Sequence, residues 1–280
     1  MRLHSPSTSP IVMGKLARRG FITGIFAAVS GAVISEVQSP AIARQVRRRV
    51  TQSELDDAIE QHHRWLEEPA IGRRACFPNC DLSGLTFNTS GDKLVSLRGA
   101  DFTEADLSGI VGGDINFHRA SLQCANLSHS ELRAPIFSGA TLWRAICNDA
   151  VWGWATCSAS VLPDDRAIAE TACFMHTDFR YAEINRARVR GYFFDASLQD
   201  ASLVDADLSF SVFAGRTFES ETSFAGARLI RTNFRNATIT AARFKSAVIQ
   251  NANFAGATLE PDVAAILKCR HTQNLPEPRA

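Results

Sequence analysis

A bulky apolar residue recurs at every fifth position over residues 77–162, separated by small and polar positions. Only Asp92 and Gly112 interrupt this series, and neither changes its phase. Two residues before each bulky position lies a small residue, usually Ala, often followed by Asp or Asn, as in Ala105-Asp106-Leu107. A period of five fits neither the helical nor the strand repeat, so each repeat must contain a turn.

The same period continues over residues 174–259, with a shift of one residue at Phe193 and one in the other direction at Phe224. The residues between the two stretches, 163–171, predict a loop or a single helical turn. Loops that project from a rigid scaffold are where functional residues concentrate.

Two helices are predicted at the ends of the repeats. Residues 51–68 have a helical apolar stripe made by Leu55, Ala58, Ile59, His62 and Leu66. Thr51 with Glu54 predicts a capping box at the start of this helix. Residues 261–268 predict a short C-terminal helix, in which Val263, Ile266 and Leu267 either cover the last repeat or pair with a second copy of the chain.

The N-terminal segment predicts an export signal. Lys15, Arg18 and Arg19 precede a weakly apolar run over residues 21–34, and the small-residue triplet 41–43 follows. This order is typical of a signal peptide cleaved after Ala43. Arg18-Arg19 with Phe21 resembles the twin-arginine motif. The alternatives are a chance Arg pair in a general secretory signal, and an uncleaved amphipathic anchor.

The tandem pattern Ala-(Asp/Asn)-Leu-x-x resembles the pentapeptide-repeat family, and the resemblance covers residues 75–259. It implies an all-β, right-handed quadrilateral β-solenoid with four pentapeptides per coil. The bulky centre and the small residue would point inward, and the other three positions outward. About 18 repeats per stretch then imply about nine coils, which need caps at both ends.

The resulting organisation has six segments. Residues 1–43 are the signal, 44–74 the linker and capping helix, 75–162 the first repeat stretch, 163–171 the loop, 172–260 the second stretch, and 261–280 the C-terminal helix and tail. The apolar run of the signal is too short to span a bilayer, so no stable membrane insertion is expected after cleavage.

Composition agrees with a packed axis. The chain has 18 Phe against 2 Tyr and 4 Trp, and Phe offers apolar surface without a polar group that needs a partner. The 280 residues carry 30 basic and 29 acidic groups; removing residues 1–43 leaves 26 and 28, a net charge of −2. This near-neutral balance argues against nucleic acid as a partner.

Outward aromatics near the loop predict a partner-binding patch. The predicted site residues are Trp143, Trp154, Asp164, Asp165, Arg166, Tyr181 and Tyr192. The alternative is that single surface aromatics have no function. Eight arginines of the second stretch suggest an anion site, but stacking predicts a ladder instead, with Asp207 between Arg188 and Arg228 and with Asp205 next to Arg186.

No catalytic, cofactor or metal motif is found in the chain. His62-His63 suggests a metal or acid–base pair, but adjacent helical residues do not face each other, which favours one His on the capping face and one exposed. Of the seven cysteines, Cys80, Cys147 and Cys157 are predicted as small core residues, and no spacing matches a zinc site.

These observations predict a non-enzymatic protein-binding or structural scaffold of the bacterial periplasm, or a secreted one, with an unidentified protein partner. A homodimer through the C-terminal helix is a further expectation. The alternative is a DNA-mimicking, topoisomerase-binding protein of the cytoplasm, which the family resemblance raises but the charge and the signal disfavour. A third interpretation is an enzyme that uses Asp164, Asp165 and His176.

Overall fold

The chain folds as a β-solenoid of about seven turns with a helix at each end, as the repeat pattern predicts. The computed structural model describes residues 47–87, 94–153, 171–215, 221–240 and 242–268. The described helices are α1 (Gln52–Glu67) and α2 (Pro261–Lys268). The described strands are β1 (Arg48–Arg49), β2 (Cys80–Asp81), β3 (Thr86–Phe87), β4 (Val95–Ser96), β5 (Val111–Gly113), β6 (Ile115–Asn116), β7 (Glu131–Arg133), β8 (Val151–Trp152), β9 (Ala172–Cys173), β10 (Arg188–Val189), β11 (Gly191–Phe194), β12 (Val212–Ala214), β13 (Thr222–Ser223), β14 (Arg228–Ile230), β15 (Thr238–Ile239), β16 (Ala242–Arg243), β17 (Val248–Gln250) and β18 (Thr258–Leu259).

All strand pairs and bridges are parallel and form four columns, one for each side of the coil. One column runs through Cys76, Asp101, Ser121, Thr141, Asp178, Ser197, Ser223 and Arg243. Another joins β9, β11, β12, β15 and β18 in one five-stranded sheet. In a regular coil the paired residues are four pentapeptides apart, as Val111, Glu131 and Val151 are. The quadrilateral arrangement of the prediction is therefore confirmed.

Three coils are longer than four pentapeptides. Their extra residues include 88–93, 154–170 and 216–220, which lie outside the described residues. Trp152 and Ala172 lie on neighbouring sides of the same coil. The prediction of about nine coils also counted the repeats that fall in these three segments, and the structure has about seven turns instead.

The interior is a continuous apolar core made by the predicted centre positions. Every described centre from Phe77 to Ile249 is buried, and Leu259 is half-buried. One row of stacked rings consists of Phe117, Phe137, Phe174, Phe193 and Phe213, with successive centroids 5.1, 5.7, 4.5 and 4.7 Å apart. This stack accounts for the surplus of Phe over Tyr, because a buried phenol would need a hydrogen-bond partner in each coil.

Gly112 lies at a centre position where the core has no room for a side chain. A Cβ there would lie 2.5 Å from Cδ1 of Ile115 and 2.9 Å from the carbonyl oxygen of Phe87. The gap in the apolar series is therefore filled by neighbouring side chains rather than left as a cavity.

Buried hydroxyls replace Ala at several inward small positions next to irregular coils. Thr177 Oγ1 donates to the carbonyl oxygen of Phe137 over 2.8 Å, and Thr232 Oγ1 donates to that of Leu203 over 2.8 Å. Both threonines are buried. These carbonyl oxygens also accept backbone N–H groups, from Ala140 and Ala206 respectively, so the side-chain bonds serve to give each buried hydroxyl an acceptor.

Helix α1 closes the first coil. Thr51 and Glu54 form the predicted capping box, and Leu55, Ile59 and His62 are buried against the coil. The predicted helix and its capping box are therefore confirmed.

The N-terminal cap also provides hydrogen-bond partners for the strand edges of the first coil. Strand β1 pairs with β2, and the Gln52 side chain donates to and accepts from the backbone of Thr86. His62 Nδ1 accepts from the backbone N–H of Ala75 over 3.0 Å, and His63 Nε2 accepts from that of Ser96 over 2.9 Å. The expectation that His63 is exposed is wrong: the ring is half-buried because it caps a strand edge. Edge strands that are covered in this way do not recruit other chains.

Helix α2 covers the last coil. Val263, Ala264 and Leu267 are buried, whereas Ile266 is 41% exposed. In the described part of the chain no helix is long and apolar enough to cross a membrane. The predicted signal, residues 1–43, lies outside the described residues, and the segment boundaries stay predictions.

Candidate functional site

Two of the predicted site residues form an aromatic pair on one corner of the solenoid. Trp143 and Tyr181 lie on successive coils, with ring centroids 6.4 Å apart and an interplanar angle of 81°. The guanidinium carbon of Arg144 lies 4.6 Å from the centroid of the Trp143 ring. An edge-to-face pair with a cation over one ring is a favourable arrangement of the ring quadrupoles. We call these three residues the Trp143–Tyr181 corner.

The five-residue repeat determines the backbone of this corner. The last position of each pentapeptide turns the chain, and there Arg144 has φ 56° and Tyr181 has φ 60°. The backbone N–H of Arg144 donates to the carbonyl oxygen of Arg180 over 3.0 Å. Tyr181 is 48% exposed, and Trp143 is half-buried. The corner therefore presents aromatic surface to solvent on a hydrogen-bonded backbone.

A carboxylate beside the corner is already engaged. Arg180 Nη2 lies 2.8 Å from Asp178 Oδ2, within the same repeat as Tyr181. Burial opposes ionisation of Asp178, but the hydrogen bonds and charge of Arg180 outweigh it and lower the pKa of this carboxyl. Arg144 forms no ion pair within the described residues, so the corner carries a positive charge next to its aromatic rings.

The other predicted site residues are not brought to this corner. Tyr192 belongs to β11 on a different side of the coil, where its ring stacks on that of Phe194 with centroids 5.8 Å apart. Trp154, Asp164, Asp165 and Arg166 lie outside the described residues. The structure thus unites Trp143 with Tyr181 and separates both from Tyr192.

The sequence analysis missed one exposed aromatic. Phe210 occupies the last position of its repeat, with φ 60°, and is 49% exposed. The guanidinium carbon of Arg190, one coil below, lies 5.6 Å from its ring centroid. A bulky apolar residue at an outward position of the repeat was the available signal.

Two of the eight arginines of the second stretch, Arg186 and Arg231, form the predicted ladder on one corner. Arg186 Nη2 lies 2.6 Å from Asp149 Oδ2, and Arg231 Nε lies 2.5 Å from Asp205 Oδ1. These pairs alternate in sign on successive coils. Hydrogen bonding from Arg186 lowers the pKa of Asp149, and hydrogen bonding from Arg231 lowers that of Asp205.

One placement in this ladder was wrong. Asp207 follows Arg188 in its column as expected, but the residue above Asp207 is Asn233 rather than Arg228. The coil that contains residues 216–220 is longer than a regular coil, which moves Arg228 to the neighbouring column. The five-residue period showed only the one-residue shift at Phe224.

No catalytic constellation is found among the described residues. His176 Nδ1 lies 3.6 Å from Asp195 Oδ2 on an exposed corner, and the Asp164 and Asp165 that would complete an enzymatic site are not described. Within the described ranges no group of His, Cys, Asp and Glu could hold a metal ion.

The cysteines that the structure describes are free thiols. They are Cys76, Cys80, Cys124, Cys147 and Cys173. Cys80 and Cys147 are buried as predicted, and burial raises the pKa of the Cys147 thiol. Cys157 lies outside the described residues.

Comparison with known proteins finds similarity to pentapeptide repeats in two segments of the chain. The pentapeptide-repeat family model matches eight copies within residues 96–134 and 220–256. A search of curated proteins finds no match. Among solved structures the chain is similar to HetL, a pentapeptide repeat protein involved in heterocyst differentiation regulation from the cyanobacterium Nostoc, at 22% identity over 71% of this chain and 96% of that one, with a TM-score of 0.23.

Two further structures are similar over much of their length. QnrB1, a plasmid-mediated fluoroquinolone resistance protein, is 17% identical over 71% of this chain and 90% of its own, with a TM-score of 0.29. A pentapeptide repeat protein from the Arabidopsis thaliana thylakoid lumen is 25% identical over 39% of this chain and 77% of its own, with a TM-score of 0.24. Two segments of the repeat region thus match the pentapeptide-repeat model, and the described strands form four columns of five-residue repeats.

Proposed function

We propose that the chain is an exported, non-enzymatic scaffold that binds a partner protein at the Trp143–Tyr181 corner. The observation that carries this proposal is the exposed edge-to-face aromatic pair with Arg144 over one ring. Trp, Tyr and Arg are the side chains most enriched at the energetic centres of protein interfaces. The repeat backbone holds them in place, so little ordering entropy is lost when a partner binds.

The partner site can be tested by photo-cross-linking in the full chain. The photoreactive amino acid p-benzoylphenylalanine replaces Tyr181 in one variant and Val248 in another. Val248 is an apolar side chain of similar exposure, 42% against 48% for Tyr181, on a different side of the coil. We expect a cross-linked product of defined mass from position 181 only. Equal products from both positions, or none from 181, would remove the corner as a partner site.

Export is the second part of the proposal. Its support is the order of basic residues, apolar run and small-residue triplet in residues 1–43. Cleavage after Ala43 would leave intact β1, whose Arg49 forms a 2.8 Å ion pair with Asp81. Cell fractionation is the measurement, with Arg18→Lys and Arg19→Lys together as the variant. We expect periplasmic protein starting at Arg44, and loss of export in the variant. Full-length cytosolic protein, unchanged by the variant, would contradict export.

The proposed homodimer through the C-terminal helix rests on Ile266. Val263 and Leu267 are used to cover the last coil, which leaves the 41% exposed Ile266 side chain for a second copy. Light scattering of the wild-type chain and of an Ile266→Asp variant tests this. A wild-type dimer that becomes a monomer in the variant is the expected result, and an unchanged mass in both would contradict the helix as the interface.

The cytoplasmic DNA-mimic alternative has less support from the described surface. A DNA mimic needs rows of uncompensated carboxylates, whereas Asp149, Asp178 and Asp205 are each paired with an arginine. Pairing lowers the local negative potential that would imitate a phosphate backbone.

A further inference from the structure

One side of the solenoid has an uncharged stretch of outer surface. It is the five-stranded sheet that contains β9, β11, β12 and β15. Tyr192 pairs in register with Cys173 below it and with Val212 above it, and Val212 pairs with Thr238. These outward side chains carry no charge. The rings of Tyr192 and Phe194 lie nearly parallel, at 9°, and both are half-buried.

The edge of this sheet carries an aromatic residue between two arginines. Arg190 directly precedes β11. Phe210 lies two residues before β12, the next strand of this sheet. Arg190 stacks over the Phe210 ring at 5.6 Å, and the backbone N–H of Phe210 donates to the carbonyl oxygen of Arg235 over 3.0 Å. Within the described residues neither Arg190 nor Arg235 forms an ion pair. The edge therefore carries two positive charges that no described side chain compensates.

The coil below Phe210 is one residue shorter than a regular coil. Gly191 pairs with Ala172, and its inward position leaves no room for a Cβ, which would lie 2.5 Å from Cε2 of Phe174. The repeat that ends at Arg190 therefore lacks the last residue of a pentapeptide, which forms the corner in regular repeats. Phe210 has no corner side chain directly beneath it, and the Arg190 guanidinium lies there instead.

Phe210 is not the residue that the fold requires at this corner. An aromatic side chain with φ 60° costs about 1 kcal/mol or more relative to glycine. The equivalent corners of the next two coils are occupied by Asn236, with φ 55°, and Gly256, with φ 70°, residues that adopt this backbone readily.

We propose that Arg190, Tyr192, Phe194, Phe210 and Val212 form a second binding surface, whose ligand is an acidic peptide segment of a partner protein with an apolar or aromatic side chain. We call these residues the Tyr192–Phe210 surface. It lies on a different side of the coil from the Trp143–Tyr181 corner. The uncharged sheet takes the apolar side chain, and Arg190, supported by Arg235, binds the carboxylates. Interfaces commonly combine an apolar centre with such a charged rim.

The charge of the surface favours a peptide over a nucleic acid. Sequence-independent nucleic-acid binding uses roughly six or more phosphate contacts, whereas this edge offers two arginines beside an apolar sheet. Five strands at a spacing of about 4.8 Å extend over about 20 Å, the length of roughly six residues of an extended peptide.

Selection of random octapeptides displayed on phage, with the immobilised full chain as bait, tests the proposal. We expect peptides in which Asp or Glu flanks Leu, Phe or Trp to be enriched. The selected peptide should bind about tenfold more weakly to the Phe210→Asn and Arg190→Gln variants. Asn adopts the corner backbone without strain, so the Phe210 variant keeps the fold.

The matched control is His129→Asn, since His129 has a φ of 59° and is exposed on another corner. This variant should bind the selected peptide as the wild type does. Absence of an acidic–apolar consensus, or a consensus peptide that binds both Phe210→Asn and Arg190→Gln unchanged, would overturn the proposal.

Two other occupants have their own outcomes. Binding of single-stranded oligothymidine that is lost in Arg190→Gln would overturn the proposal in favour of nucleic acid. A concentration-dependent dimer that dissociates in Phe210→Asn would overturn it in favour of a second copy of the chain. Failure of cross-linking at position 181 concerns the Trp143–Tyr181 corner alone and leaves this surface standing.

Discussion

The indole N–H of Trp152 donates a 2.8 Å hydrogen bond to Oγ of Ser130 inside the solenoid. Ser130 lies one coil below, at the small inward position, and its hydroxyl donates in turn to the carbonyl oxygen of Leu127 over 2.7 Å. Both side chains are buried. A tryptophan at a centre position brings a polar group into the core, and the serine below it provides the acceptor that Ala at that position could not.

Ser130→Ala should destabilise the chain by about 1–3 kcal/mol, because it leaves the Trp152 N–H buried without an acceptor. The same substitution in a Trp152→Phe background should cost much less, since no indole N–H is then present. Urea unfolding of the four chains in this double-mutant cycle measures the coupling.

One outcome of this double-mutant cycle would contradict a stabilising hydrogen bond between Trp152 and Ser130. If Ser130→Ala costs the same with Trp and with Phe at position 152, the hydrogen bond contributes nothing and the serine matters only through Leu127. A conservative Ser130→Thr variant keeps the hydroxyl and should retain most of the coupling.

Gly112→Ala should also destabilise the chain, by about 1–3 kcal/mol, because its Cβ would overlap Ile115 and the backbone of Phe87. Backbone atoms cannot rotate away, so the strain has to be spread over the coil. The midpoint of urea unfolding is the measurement.

The neighbouring Gly113 is a matched control. A Cβ on Gly113 would lie 3.1 Å from Nη2 of Arg133, the end of a flexible exposed side chain that can move. Gly113→Ala should therefore shift the urea midpoint far less than Gly112→Ala. Equal shifts for the two variants would show that packing at Ile115 is not the cause.

The repeat pattern predicted which residues face inward, but not where the register between successive coils changes. The inward centres and small residues followed from the five-residue period alone, and so did the capping box of Thr51 and Glu54. The register across irregular coils did not, because an inserted segment changes which residues stack without changing the local pattern. Arg228 was misplaced for this reason.

Contacts between residues of successive coils could not be predicted from the sequence either. Trp143 and Tyr181 are 38 positions apart, and only a known coil length places one above the other. Phe210 could have been noticed as an apolar residue at an outward position, but its arginine neighbour belongs to the shortened coil below. Such pairs depend on coil length, which the local pattern does not contain.

Acid should weaken the N-terminal cap through His62. Burial, together with the nearby charges of His63 and Arg74, lowers the pKa of His62 from 6.5 to about 4, and a backbone contact with Arg98 opposes this only in part. The folded chain therefore keeps the ring neutral, as its acceptance of the Ala75 N–H requires. In the unfolded chain the ring is protonated below about pH 6.5.

The direction of the pH dependence of stability follows from this difference in the pKa of His62 between the folded and the unfolded chain. The contribution of a neutral His62 is fully present above pH 6.5 and is lost as pH falls towards 4, by about 3 kcal/mol in total. Urea unfolding between about pH 7.5 and 4.5 measures it. His62→Asn keeps an acceptor for Ala75 and should reduce the slope by about one proton. His129→Asn, at an exposed corner, is the control, and an unchanged slope in His62→Asn would contradict the assignment.

The Asp149–Arg186–Asp205–Arg231 ladder should contribute little to the free energy of unfolding. Its groups are exposed, so Arg186→Gln should move the urea midpoint by less than about 0.5 M at low salt, and the shift should vanish near 1 M NaCl. Arg186→Glu should have a larger effect of the same sign, because it places a third negative charge between Asp149 and Asp205.

A charge swap separates the ladder from an anion site. Asp149→Lys combined with Arg186→Glu restores opposite charges between these two coils, and the combined variant should be more stable than Arg186→Glu alone. Since Arg186 lowers the pKa of Asp149, the contribution of the pair is present above the unfolded pKa of the carboxyl and lost as pH falls below it. If Arg186→Gln instead stabilises the chain at low salt, the arginine is repelled by its surroundings, and an anion-binding role for this corner replaces the ladder.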